Sequence, residues 1–199
     1  MVIENYKMRI TPLETTASIL RSRIFCDIGE WDEDSLDIIK DSLEGLVVAS
    51  RGKLVDMITE TETEFPTDIK LGSSGTHIVR MPDNEQGETT FEIRYNRKSE
   101  DDPFPVFEVL HETWHAISHI NEMEIGVPQF FGDFDWEDCE CNLFARTVLM
   151  PAEEFVKVAK KFFRDKKYHI NEITDFYKKR FPVHPDEINF RGRELGLWT

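Results

Sequence analysis

Apolar and polar positions change period several times along the 199 residues, and each change predicts an element. The stretch "TPLETTASILRSRIF" opens with a helix-start signature: Thr11 as cap, Pro12 at the first helical position and Glu14 completing a capping box. Leu36, Ile39, Leu43, Leu46 and Val47 then repeat at helical spacing and predict a helix over 33–60, broken by "TETEFPTD". The period next drops to two. "THIVRM" and "TTFEIRYN" read as strands joined by the turn-rich "PDNEQGE"; in the second, Phe91, Ile93 and Tyr95 face a core while Glu92, Arg94 and Asn96 face water. After "KSEDDPFP" a helix runs over 104–120, followed by the aromatic loop "GVPQFFGDFDW" and a helix over 136–150. In that last helix Cys141, Phe144, Ala145 and Val148 form an inward stripe. Pro151 restarts a helix with Glu153 and Glu154 at its positive end, and "NEITDFYKKRFPVHPDEINFRGRELGLW" reads as two short helices around "FPVHP".

These elements describe an α+β chain with a small antiparallel sheet packed on helices. The expected organisation is one main domain over 1–152, helical over 1–66, and a helical C-terminal segment over 153–199. Charge sharpens the division. Residues 156–199 carry 11 Lys and Arg against 6 Asp and Glu, whereas the whole chain has a net charge of −15. An acidic body repels phosphate backbones, so direct nucleic-acid binding by the main domain is disfavoured; the basic tail, with "RGRELG", leaves a helix-turn-helix contact to DNA as a minor alternative. Three cysteines, Cys26, Cys139 and Cys141, are too few for a disulfide framework, and the Cys139-x-Cys141 pair reads as small helix residues rather than metal ligands. No apolar signal core opens the chain and no run approaches membrane-spanning length, so the expected location is cytoplasmic.

The chemistry is concentrated in "VLHETWHAISHI". Residues four apart on a helix differ by about 40° of rotation and roughly 6 Å of rise, so His111 and His115 share a face. His111-Glu112-Thr113-Trp114-His115 is an H-E-x-x-H pattern: two imidazoles for zinc and a carboxylate, Glu112, as general base. His119 continues the stripe but lies about 12 Å along the axis from His111, too far to share an ion whose Zn–N bonds are about 2 Å. It packs at the helix end or orders a ligand.

A catalytic zinc takes three protein ligands and keeps one position open. The third is expected from "WEDCECNLFARTVLMP", where Glu137, Asp138 and Glu140 are candidates. Measured from the centre of the apolar stripe, Glu137 lies about 40° away, Asp138 about 60° and Glu140 about 100°, which sets Glu140 back. Asn142, four residues after Asp138, is placed to hold a metal-bound imidazole; that favours Asp138, with Glu137 in reserve. Tyr95 and His119 are the candidates for steadying an oxyanion. The strand at 89–96 could take an extended peptide along its edge, with the aromatic loop closing over it.

H-E-x-x-H together with "CNLFARTVLMP" resembles the ImmA/IrrE family of zincin-like metallopeptidases. Asn142, Phe144, Ala145, Leu149, Met150 and Pro151 stand as they do in that family, and the tail ending Leu195-Gly196-Leu197 looks like its closing segment. The likeness covers roughly residues 77–197. Three positions depart from it: Trp114 replaces a glycine, Cys141 an alanine, and Asp138 stands at the metal-binding glutamate, with one methylene less reach. The resemblance implies a zincin-like fold, a Zn²⁺ cofactor held by His111, His115 and Asp138, and metalloendopeptidase activity with Glu112 as base. It also implies the partner: an intracellular helix-turn-helix repressor, cut in an anti-repressor role. A scaffold that has lost catalysis and only sequesters a repressor or toxin is the alternative, kept in view by Asp138.

Overall fold

The computed structural model describes residues 13, 15–22, 33–57, 76–95, 105–129, 136–164, 170–178 and 183–198; at 33–36, 129, 136–138, 161–164, 170, 171 and 173 only the backbone is described. The cap signature at Thr11, Pro12 and Glu14, and the loop over 130–135, therefore lie outside the described residues. The elements are a helix over 15–22 (α1), α2 (Glu33–Ala49), β1 (Gly52–Asp56), β2 (His77–Met81), β3 (Thr90–Tyr95), α3 (Val106–Ser118), a 3₁₀ turn (Ile120–Glu122), β4 (Pro128–Gln129), α4 (Trp136–Leu149), α5 (Ala152–Arg164), α6 (Ile170–Lys178) and α7 (Pro185–Glu194). The chain is α+β.

By its contacts the chain divides into two compact units: one holds Leu36–Asn142, the other Met1–Ser35 with Leu143–Thr199.

In the Leu36–Asn142 unit the sheet has the order β1-β3-β2-β4. β2 and β3 form the expected antiparallel hairpin, with Ile78 opposite Ile93, closed by Asn84, whose Oδ1 accepts from the N–H groups of Gln86 and Glu88. Phe91, Ile93 and Tyr95 are buried, as their alternation predicts, while Glu92 and Arg94 pair with each other at 2.7 Å on the other face.

Two expectations need correction. The helix drawn over 33–60 ends at Ala49, and β1 occupies residues that were expected to be helical. Ser50 and Arg51 bond back to Leu46, Val47 and Val48; Arg51 then takes φ 69, and Gly52 lies against the Phe91 ring, where a Cβ would collide. That combination turns the chain out of the helix and starts a strand. β1 pairs parallel to β3, Gly52 opposite Phe91 through Asp56 opposite Tyr95, so the sheet is mixed and not antiparallel. The same pairing closes β3 on both sides, which removes the strand at 89–96 as a peptide-accepting edge.

α3 packs on β2 and β3. Val106, Val109, Leu110, Thr113, Trp114 and Ala116 are buried, and Thr113 Oγ1 donates to Val109 O at 2.6 Å instead of leaving a polar group unmet. Beyond α3, Arg80 of β2 donates to the carbonyls of Asn121 and Met123 and accepts from Gly126 N–H, tying the turn after α3 to the sheet.

The other unit is helical. Pro151 interrupts α4 and α5, which orphans the carbonyls of Val148, Leu149 and Met150. Arg21 donates to the first two and pairs with Glu154 at 2.8 Å, while Arg191 Nε donates to Met150 O. Arg191 is 5% exposed, and Arg146 pairs with Glu187 and Glu194, so these guanidiniums are spent inside the unit. α7 ends with Leu197 N–H on Gly192 O and Gly196 N–H on Arg193 O; Gly196 takes φ 65, which suits a residue without Cβ.

Tyr177 is fully buried, stacked on Phe155 at 4.2 Å, and its hydroxyl donates to Phe155 O at 2.7 Å. Burial pushes its phenol pKa up, partly offset by the Ala159 backbone. A raised folded value means that this contribution to stability is full below the unfolded value of 10.0 and is lost as pH rises above it. Chemical unfolding followed from pH 9 to about pH 11 is expected to show wild type losing stability faster than Tyr177→Phe. Parallel curves would show that the phenol does not titrate with folding.

Candidate metal centre

α3 presents His111, Glu112 and His115 from its middle turns, with the sheet behind it. His115 is fully buried, Glu112 is 8% exposed and His111 is half-buried. The rings of His111 and His115 meet edge-on with centroids 4.9 Å apart. Their Nε2 atoms are 3.2 Å apart. Two imidazole lone pairs aimed at one point repel unless a proton or a cation lies between them. Zn–N bonds of about 2.05 Å at a tetrahedral angle require N···N of about 3.3 Å, so the pair already has the spacing of two ligands on one ion.

Asn142, from α4, fixes which nitrogen of His111 is offered. Its Oδ1 lies 3.0 Å from His111 Nδ1. An amide oxygen only accepts, so Nδ1 carries the proton and Nε2 is left with its lone pair towards His115. The role expected for Asn142 from its position in the sequence is thus matched by its contact.

The third ligand is where geometry adds a residue. Asp138 and Glu137 are helical by their backbone, but their side chains lie outside the described residues. Glu140, set back by its angle, has its Oε2 3.8 Å from Nε2 of His119, at the C-terminal end of the histidine stripe. Among the described residues the group able to hold a metal is His111, His115 and Cys141, whose ligand atoms all lie within 4.8 Å of one another. The position of Cys141 in the apolar stripe correctly predicts its complete burial. The same burial brings its sulfur to the two imidazoles, a signal the sequence carried only as the Cys139-x-Cys141 pair.

The remaining candidates separate. His119 caps α3 with φ −127, leaves the regular helix there, and its ring centroid is 5.8 Å from that of His115; it does not join the ligand group. Tyr95 is 3% exposed on the buried face of β3 with Phe91 and Ile93. Trp114, between the two histidines, is 6% exposed and belongs to the core. Donor type, spacing and the oriented ring all fit a divalent ion of the zinc class.

No helix among the described residues is long and apolar enough to cross a membrane. No protein-family model, curated protein or solved structure matches this chain significantly.

Proposed function

We propose that this chain is a zinc-dependent metalloendopeptidase of the H-E-x-x-H type with a zincin-like fold, cutting one peptide bond in a specific intracellular protein, a helix-turn-helix repressor. The observation that carries the reading is the convergence of His111 and His115 at 3.2 Å, with Asn142 directing the His111 ring. His111 and His115 would hold the metal, with a third ligand from the N-terminal part of α4. Bound zinc supplies Lewis acidity, polarising a carbonyl and making water a nucleophile near neutral pH.

The chain's own residues supply the rest. Glu112 is adjacent to His111 and nearly buried, so its carboxylate meets little competing solvent. On the helical wheel it lies about 100° from His111 and about 60° from His115, beside the ligands and not among them. Its carboxylate takes a proton from the attacking water and passes it to the leaving amine nitrogen, the task that general acid-base catalysis needs at a peptide bond. Asn142 keeps the proton of His111 on Nδ1 throughout, so that Nε2 remains a donor of electrons.

The repressor as substrate comes from the resemblance of the motifs, and the test is direct. Mixed with a helix-turn-helix repressor encoded beside it, the protein is expected to cut it at one bond with zinc present and not after chelation. Tight binding without cleavage, at full zinc occupancy, would replace the peptidase by the sequestering scaffold.

A further inference from the structure

We propose that the thiolate of Cys141 is the third protein ligand of the metal centre, in place of a carboxylate from the first turn of α4. The proposal rests on reading His111 and His115 as a metal pair, and it names the donor set of that same site. Zn–S bonds of about 2.3 Å and Zn–N bonds of about 2.05 Å place tetrahedral N and S ligands about 3.6 Å apart. With all three donor atoms within 4.8 Å of one another, the sulfur has to close by about 1.2 Å at most, the size of a side-chain adjustment.

Two further observations point the same way. Cys141 and Asn142 are consecutive on α4, about 100° apart on the helix. Asn142 holds Nδ1 of His111, and the sulfur of Cys141, one residue earlier, lies within 4.8 Å of the ligand nitrogen of the same ring. A single helix thereby delivers both the ligand and the group that orients its neighbour. Glu140, the carboxylate just before Cys141 in sequence, has its Oε2 3.8 Å from His119 Nε2 and is not part of the ligand group.

The consequence is a softer site than a two-histidine, one-carboxylate set. A thiolate favours Zn²⁺ and Co²⁺ over Mg²⁺ and Mn²⁺, and three protein ligands still leave a fourth position open.

The experiment uses the full-length protein, purified reduced, stripped of metal and titrated with Co²⁺. One equivalent is expected to produce the near-ultraviolet thiolate-to-cobalt charge-transfer band along with the visible bands of a tetrahedral ion. Zn²⁺ should displace the cobalt and abolish both in the wild-type chain, a readout that needs no variant. Cys141→Ser and the smaller Cys141→Ala should lose the near-ultraviolet band. In competition with a chelator they should bind zinc about 100-fold more weakly or worse, since even residues that merely orient a ligand are worth about 10- to 100-fold. Cobalt bound with visible bands and no charge-transfer band, and lost in Asp138→Ala or Glu137→Ala, would overturn the proposal and leave the peptidase reading standing. Survival of the band in both Cys141 variants would assign it to another thiol and overturn it equally. No stoichiometric metal in the wild type would bring down the donor set and the peptidase together.

Discussion

Glu112→Gln is expected to lower the turnover of a cleaved repressor by about 10²- to 10⁴-fold while leaving zinc stoichiometry at the wild-type level. In free energy that is about 2.7–5.5 kcal/mol of transition-state stabilisation, at about 1.36 kcal/mol per factor of ten. Glutamine keeps the volume and one acceptor oxygen, so α3 and the placement of His111 and His115 should survive. What it loses is the capacity to accept a proton. Because Glu112 is 8% exposed, bulk water has little access to take over that task. The loss should fall on kcat and not on KM, since the proton moves only as the bond is broken. Single-turnover rates of purified wild type and variant, with metal measured in the same samples, check it. Equal rates would remove Glu112 from the mechanism, and a parallel loss of zinc would make it a ligand.

The parts of this molecule that were readable in its sequence are those where local pattern and tertiary role coincide. α3 combines a helical apolar period with the metal motif, and the same rotation that buries Val109, Leu110 and Thr113 sets His111 and His115 together. The β2–β3 hairpin follows from alternation flanking a turn whose Asn84 does the turning. The two short helices at the C-terminus come from amphipathic runs on either side of a proline-rich break.

β1 was not readable in this way. Leu46, Val47, Leu54 and Val55 stay at spacings a continuous helix would also give, so the period runs straight through the boundary. The break rests on Arg51 and Gly52, and on Phe91 closing over Gly52 from a strand nearly forty residues away. Parallel pairing of β1 with β3 has no local signature at all, since the intervening strand β2 joins the far side of β3.

Cys141 shows a different limit. Its spacing with Phe144, Ala145 and Val148 states correctly that it is buried, but a thiol is both a small apolar group and a metal donor, and periodicity cannot separate the two. The angular argument for Asp138 took the centre of the apolar stripe as the direction of the metal. The imidazole of His111 meets α4 at Asn142, a contact expected from its position in the sequence, and the side chain of Asp138 lies outside the described residues.

Phe155→Ala is expected to destabilise the unit formed by Met1–Ser35 and Leu143–Thr199 by about 3–5 kcal/mol, the usual cost of emptying a buried phenylalanine site. Phe155 is 0% exposed, its ring stacks on Tyr177 at 4.2 Å with an interplanar angle of 13°, and Trp198 adds a third ring at 5.9 Å. Stacking contributes about 0.5–1.5 kcal/mol beyond the area buried, so the loss should lie towards the upper end. Tyr177→Phe, which keeps the stack and removes only the hydroxyl bond to Phe155 O, should cost about 1 kcal/mol by comparison. The two variants thus separate ring packing from the hydrogen bond that accompanies it. Urea unfolding at pH 7 measures both, through the shift of the midpoint at constant slope. A shift smaller than about 1 kcal/mol would mean that the ring is not packed as described.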